Sequence, residues 1–199
     1  MSTNWMDNGS DVLYRQALAA RRLLDEGRIS EAILELENLS AAGEQFSQVT
    51  LGWIHDIGKG VAVDTLKAER LYSAAAETGY RVGQYYLGSL LVREHRDAEA
   101  VGWFNRAFDQ GYAPAGYRLG WMYSQGRGVC RDECIAERYM KMAAEGGHLF
   151  AQRWIARRDL SGRNGVLAFA RALLFFASVP VLAVRFVSDD SKDPNLAPM

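Results

Sequence analysis

Histidines, cysteines, a recurring Gly-x-Gly, and a scatter of tryptophans and arginines are the side chains of this sequence whose types could do chemistry. His55, His95 and His148 lie far apart and none belongs to an H-E-x-x-H, so their spacing does not make a metal ligand set. They read as hairpin-surface or stacking residues. Cys130 and Cys134 stand four apart without a second pair, which a zinc site would need. They read as small buried residues, with a vicinal redox pair, and with it a redox-active or hydrolytic enzyme using Cys130 and Cys134, as the chemical alternative. Gly58-Lys59-Gly60 and Gly126-Arg127-Gly128 could cradle a phosphate. However, no strand pattern precedes either one and no Gly-Lys-Ser/Thr follows, so both read as connections. The abundant carboxylates fall on helix exteriors as solvated faces. No catalytic residue, metal site or cofactor is expected.

Any function must therefore come from how the elements are arranged, and glycine spacing reveals that arrangement. Gly43, Gly79, Gly111 and Gly147 lie 36, 32 and 36 residues apart. Ala32, Ala68, Ala100 and Ala136 precede them by eleven residues, and Gly52, Gly88, Gly120 and Ala156 follow by nine. Small residues recurring at such a period are the signature of a helical-hairpin solenoid. The glycines of the first set end helices in the left-handed C′ conformation. Those of the third set lie mid-helix, where glycine costs about 1 kcal/mol relative to alanine, so a neighbouring helix must approach closely there. Asp64 and Asp132 are N-cap candidates.

The segments LKAERLYSAAAETGY (66–80) and CIAERYMKMAAEGGH (134–148) align, and QVTLGWI, QYYLGSL and GYRLGWM correspond in the other helix. A Gly-x-Gly-Val…Asp loop between LG and KAE-type segments resembles the Sel-one-like repeat family, a subgroup of the tetratricopeptide-type solenoids. The resemblance spans residues 44–162 and is weakest in 80–112, which lacks the loop. It implies an all-α, right-handed α/α superhelix of about five hairpins acting as an adaptor or scaffold, often in bacterial signalling, envelope or secretion pathways. Some secreted members carry a disulfide in every repeat or are linked to β-lactam hydrolysis. This sequence departs from that pattern in three repeats, and the activity is not carried over. The expected organisation is a disordered stretch 1–9, a tetratricopeptide-like hairpin 10–43, repeats at 44–79, 80–112 and 113–147, a degenerate fifth hairpin 148–187, and a disordered tail 188–199.

The fifth hairpin breaks the pattern. Positions that are Glu137, Arg138 and Lys141 one repeat earlier become Leu173, Leu174 and Ala177, beside Phe175 and Phe176. A terminal repeat ordinarily needs a polar outer face. The apolar run 166–187 is long enough to span a bilayer, at about 20 residues per crossing. Arg171 and Arg185 leave only thirteen uncharged residues between them. Three readings stand open: a membrane span or in-plane anchor, a helix for partner docking or self-association through Leu173, Leu174, Phe175 and Phe176, and a cap folded on its own chain. Arginines before the run and aspartates after it favour repeats on the cytoplasmic side of a membrane.

Composition narrows the partner. The chain has 199 residues, 49% hydrophobic and 24% charged, with a formal net charge of −1. That excludes disorder and argues against a nucleic-acid partner. The absence of a secretory signal from 1–9 points to the cytoplasm, where the two cysteines stay reduced. A protein partner is expected, seated as a peptide or helix on the concave face. Relative to the mid-helix small residue, the −2 column is Thr50, Tyr86, Arg118 and Trp154, and the +1 column is Trp53, Ser89, Trp121 and Arg157. Aromatic and arginine side chains are the types enriched in binding hot spots. Trp53, Tyr86, Arg118, Trp121, Trp154 and Arg157 are therefore the candidate partner-binding residues, although Trp53 and Trp121 would equally serve as packing between repeats.

Overall fold

Helix length is set by a stop signal in each half-repeat. A computed structural model of the chain describes residues 9–160, all of it helices and their connections. The helices are α1 (Gly9–Asp25), α2 (Ile29–Ala41), α3 (Gln45–Ile57), α4 (Thr65–Glu77), α5 (Arg81–Arg93), α6 (Asp97–Asp109), α7 (Ala113–Gln125), α8 (Glu133–Glu145) and α9 (Leu149–Leu160). Gly43, Gly79, Gly111 and Gly147 all have positive φ just past the second helices, where they release the chain into the next first helix. Asp64 caps α4 by accepting from the Lys67 N–H at 2.8 Å, and Asp132 caps α8 by accepting from Cys134 and Ile135 N–H. A third cap was not foreseen: the Glu44 carboxylate accepts from Phe46 and Ser47 N–H at the start of α3.

Each pair α1–α2, α3–α4, α5–α6 and α7–α8 packs as a hairpin, and the hairpins stack in chain order. Successive first helices α1, α3 and α5 touch one another directly, whereas second helices come no closer than marginal contact. Over these repeats the first helices line the inner, shorter side of a right-handed α/α superhelix and the second helices the outer side, and the repeat register gives α7 and α9 the same place as α3 and α5.

The mid-helix glycines are occupied sites. A Cβ on Gly52 would stand 2.7 Å from the Tyr72 ring, on Gly88 2.8 Å from Phe104, and on Gly120 2.9 Å from Met140. The nearest approach in each case is a bulky side chain of the hairpin partner, joined at Gly120 by the Ala136 backbone oxygen at 3.1 Å. In the first hairpin the sizes are smaller on both sides, with Ala20 and Leu36 both buried at the same register. Close packing demands this kind of compensation.

In the two long hairpins the Gly-x-Gly is a joint between repeats. Both of its glycines adopt positive φ in each copy. A Cβ on Gly60 would meet Ile29 of α2 at 2.7 Å, and one on Gly128 would meet the Asp97 backbone of α6 at 2.5 Å. Each loop thus lies against the start of the preceding repeat's second helix. Arg127 sits between the two glycines and donates Nε and Nη2 to the two oxygens of Asp97, at 3.0 and 2.8 Å.

The second helix of the fifth hairpin, the apolar run 166–187 with Leu173, Leu174, Phe175 and Phe176, and the tail 188–199 lie outside the described residues. So does most of 1–9, although α1 already begins at Gly9. No helix among the described residues is long and apolar enough to cross a membrane.

Candidate protein-binding face

Helical spacing assigns the inner face. Residues 46, 50, 53 and 57 of α3 fall within one stripe, as do 82, 86, 89 and 93 of α5, 114, 118, 121 and 125 of α7, and 150, 154 and 157 of α9. The core takes the other columns, with Leu51, Leu87, Leu119, Ile54, Leu90 and Met122 all buried.

The six candidates do not behave alike. Trp53 is covered, with 6% of its surface exposed, and both Arg21 and Lys59 lie over its ring. Its ring area is used within the chain, which corrects its assignment to a partner surface. Tyr86 is half-buried, stacked on Tyr72 with ring centroids 5.4 Å apart. Trp121 and Trp154 are half-buried against one cluster formed by Met140, Ala143 and Ala151. Arg127 caps the Trp121 ring at 5.3 Å and Arg158 the Trp154 ring at the same distance. Arg118 is half-buried and Arg157 exposed. Trp121 and Trp154 thus share one cluster at the α7–α9 end of the stack, with Arg118 and Arg157 at the neighbouring register positions, whereas Trp53 belongs to the main core, against which Trp121 also packs.

Sequence reasoning missed the cations over the indoles. Lys59 and Arg127 each follow a tryptophan by six residues, and both occupy the middle of the Gly-x-Gly. That recurrence was a readable signal. Such a contact contributes about 0.5–2 kcal/mol, depending on exposure, and here it ties the loop to its own first helix.

The chemistry-bearing residues resolve in different ways. His55 is buried at 8% exposure with neither ring nitrogen hydrogen-bonded to a described residue. Desolvation, and then Lys67, push its pKa below the usual histidine value. It borders an open depression of about 610 Å³ beneath the α3–α4 connection, lined also by residues 61–67. His148 stacks on Tyr117 at 4.6 Å and accepts the Ala151 N–H through Nδ1 at 3.3 Å. Burial, with Arg118 adding its charge, pushes its pKa down to about 4. His95 is exposed in the α5–α6 connection. Cys130 and Cys134 are free and exposed, not buried as expected: Val129 takes the inward position in the loop, and Cys134 lies on the solvent side of the first turn of α8. Among the described residues no three His, Cys, Asp or Glu side chains gather as a metal would require.

The charges are sorted by layer. The first helices carry nine arginines against four aspartates, whereas the second helices carry five cations against eleven carboxylates. Within α7 there is no carboxylate at all.

Comparison with known proteins agrees with this architecture. The Sel1 repeat family model matches residues 46–80, 80–112 and 113–148, just over half of the chain. The chain belongs to the Sel1 repeat family. Chitin synthase regulatory factor 3 of Schizosaccharomyces pombe is 31% identical over 122 residues, which cover 61% of this chain and 13% of that protein. The chain thus spans about an eighth of that relative's length. Among solved structures, c5321, a protective antigen of uropathogenic Escherichia coli with an SLR fold, superposes with a TM-score of 0.69 at 25% identity, covering 90% of this chain and 43% of that one. A Sel1 repeat protein from Oxalobacter formigenes superposes with a TM-score of 0.72 at 22% identity, covering 98% and 82% respectively.

Proposed function

We propose that this chain is a non-enzymatic adaptor that holds a partner's peptide or helix against its first-helix face, with the apolar run 166–187 as a second attachment, to a membrane or to a partner. Sel1-repeat proteins serve generally as protein-interaction scaffolds. The observation that carries the finer reading is the composition of the inner α7–α9 wall. Trp121 and Trp154 pack between repeats yet stay half-open, and Arg118 and Arg157 beside them in register make no ion pair with a described residue; all four are hot-spot residue types. The concave surface of a stacked-repeat protein is the one it uses for binding.

Site-specific photocrosslinking tests it. A photoreactive phenylalanine analogue is placed at Arg157 on the inner face or at Glu99 on the outer face of the full-length chain in its native cells. The reading expects a discrete adduct from position 157 and none from 99. Equal adducts from both positions, or none from 157, refute it. Fractionation of the full chain beside one ending at Gly165 tests the second attachment: if both stay soluble and monomeric, its membrane and self-association forms are removed.

A further inference from the structure

The charge sorting has a consequence for the partner. Arg118, Arg153 and Arg157 make no ion pair with any described residue, and neither do Arg70, Arg106 and Arg138 of the outer layer; what sets the α7–α9 wall apart is its lack of exposed carboxylates, since α7 has none. On α9 the one carboxylate, Asp159, is buried. The charges of Arg118, Arg153 and Arg157 are therefore left uncompensated beside two half-buried indoles, while Arg158 on the same helix is paired with Glu137 of α8. This charge is felt inside the protein too, since Arg118 helps to hold the neighbouring His148 neutral.

From this complementarity we propose that the occupant of the α7–α9 wall is a short acidic segment of a partner protein. Its carboxylates pair with Arg118 and Arg157, and bulky apolar side chains between them rest on Trp121 and Trp154. This rests on the adaptor reading above and adds the chemistry of the ligand. Arginine presents a planar fork that matches a carboxylate bidentately, and indole supplies apolar area at low entropic cost. One exposed and one half-buried charge pair give roughly a tenfold gain in affinity between them, and the indoles supply the remainder.

The test uses the full-length chain as bait for a random dodecapeptide phage library. The expected result is enrichment of sequences rich in Asp and Glu with interspersed Leu, Phe or Trp. A synthetic copy of the leading peptide should bind about tenfold more weakly to Arg118→Glu/Arg157→Glu, and more weakly in 500 mM than in 50 mM NaCl. The double variant should select lysine- and arginine-rich peptides instead. Circular dichroism equal to the parent's shows that this variant is folded. If the parent enriches neutral or basic peptides, the acidic-ligand proposal fails while the adaptor reading survives. No enrichment from any bait defeats both. Displacement of the peptide by an equimolar single-stranded oligodeoxynucleotide would assign the wall to nucleic acid and overturn the proposal. Enrichment seen only with Asp189→Asn/Asp190→Asn/Asp193→Asn bait would assign the wall to the chain's own tail and likewise overturn it.

Discussion

Gly128→Ala isolates how much the joint between repeats contributes to stability. Two penalties act on the new methyl group. The first is conformational: φ is +69°, and an L-residue held there costs about 1–2 kcal/mol. The second is steric: the methyl carbon would stand 2.5 Å from both the carbonyl carbon and the oxygen of Asp97. Those are backbone atoms at the start of α6, so relief requires the loop to lift from the preceding repeat. Overpacking of this kind costs about 1–3 kcal/mol. Lifting the loop would also stretch the bidentate Arg127–Asp97 pair.

The expected loss is therefore about 2–5 kcal/mol. Gly43→Ala is the matched control, because φ there is +83° with nothing within 4 Å of the added carbon. It should lose only the conformational part, about 1–2 kcal/mol. Urea unfolding followed by far-UV circular dichroism and by tryptophan fluorescence measures both. The two probes matter because a solenoid can lose one repeat before the others, and Trp121 lies under the loop in question. With an m-value of about 2 kcal/mol/M, the extra penalty at Gly128 appears as a midpoint about 0.5–1.5 M lower than that of Gly43→Ala. Equal midpoints for the two variants would show that the loop is not held against α6, and the joint would have to be abandoned.

Two further substitutions probe local strain and charge. His95 has a φ of +60° in Glu94-His95-Arg96, where the first hairpin has Glu26-Gly27-Arg28 with Gly27 at +80°. His95→Gly should raise the urea midpoint by the equivalent of about 0.5–1 kcal/mol, the strain relieved less the added freedom of the unfolded chain, and a lower midpoint would contradict it. His148 titrates near 4 when folded and near 6.5 when unfolded, so the unfolded state binds the extra proton between those values. Its contribution is complete above pH 6.5 and is lost as pH falls toward 4, by up to about 3 kcal/mol. His148→Asn keeps an acceptor for the start of α9 and should flatten the stability profile between pH 6.5 and 4; an unchanged slope would place the titration elsewhere.

The parts of the fold that were legible are those in which one residue type answers one local need. A left-handed helix exit selects glycine, and an exposed helix start selects aspartate, so Gly43, Gly79, Gly111, Asp64 and Asp132 could be placed from spacing alone. What closes on the mid-helix glycines was not legible, because Tyr72, Phe104 and Met140 share only bulk. The same limit applied to the candidate face. A column identifies which residues point inward, but coverage depends on what an adjoining loop or helix lays across them. Trp53 and Trp121 occupy one register, yet Trp53 also receives Arg21 from α1 and is covered, while Trp121 stays half-open at the far end of the stack. Cys130 and Cys134 were misjudged because burial was inferred from residue type, whereas Val129 beside them takes the inward position.

The net charge of −1 is the sum of two opposed layers rather than the mark of an indifferent surface. Packing between repeats fixes the columns that carry Leu51, Gly52 and Ile54 and their equivalents, and it constrains the inner stripe only through size. Charge on that stripe costs the solenoid little, since exposed ion pairs contribute about 0–1 kcal/mol either way. Stability therefore gives no reason for arginine to gather on first helices while carboxylates gather on second helices. A fold built from near-identical hairpins would by default place similar charges at similar depths all around. The sorting is sharpest in the three glutamates of α2, which has no cation, and in Arg118 of α7, which has no carboxylate, whereas α3 carries Asp56 without an arginine and α4 balances two cations against two carboxylates. A property that packing does not require and that follows the inner and outer faces of the superhelix points to what meets those faces. For the inner face, that is a ligand of negative charge.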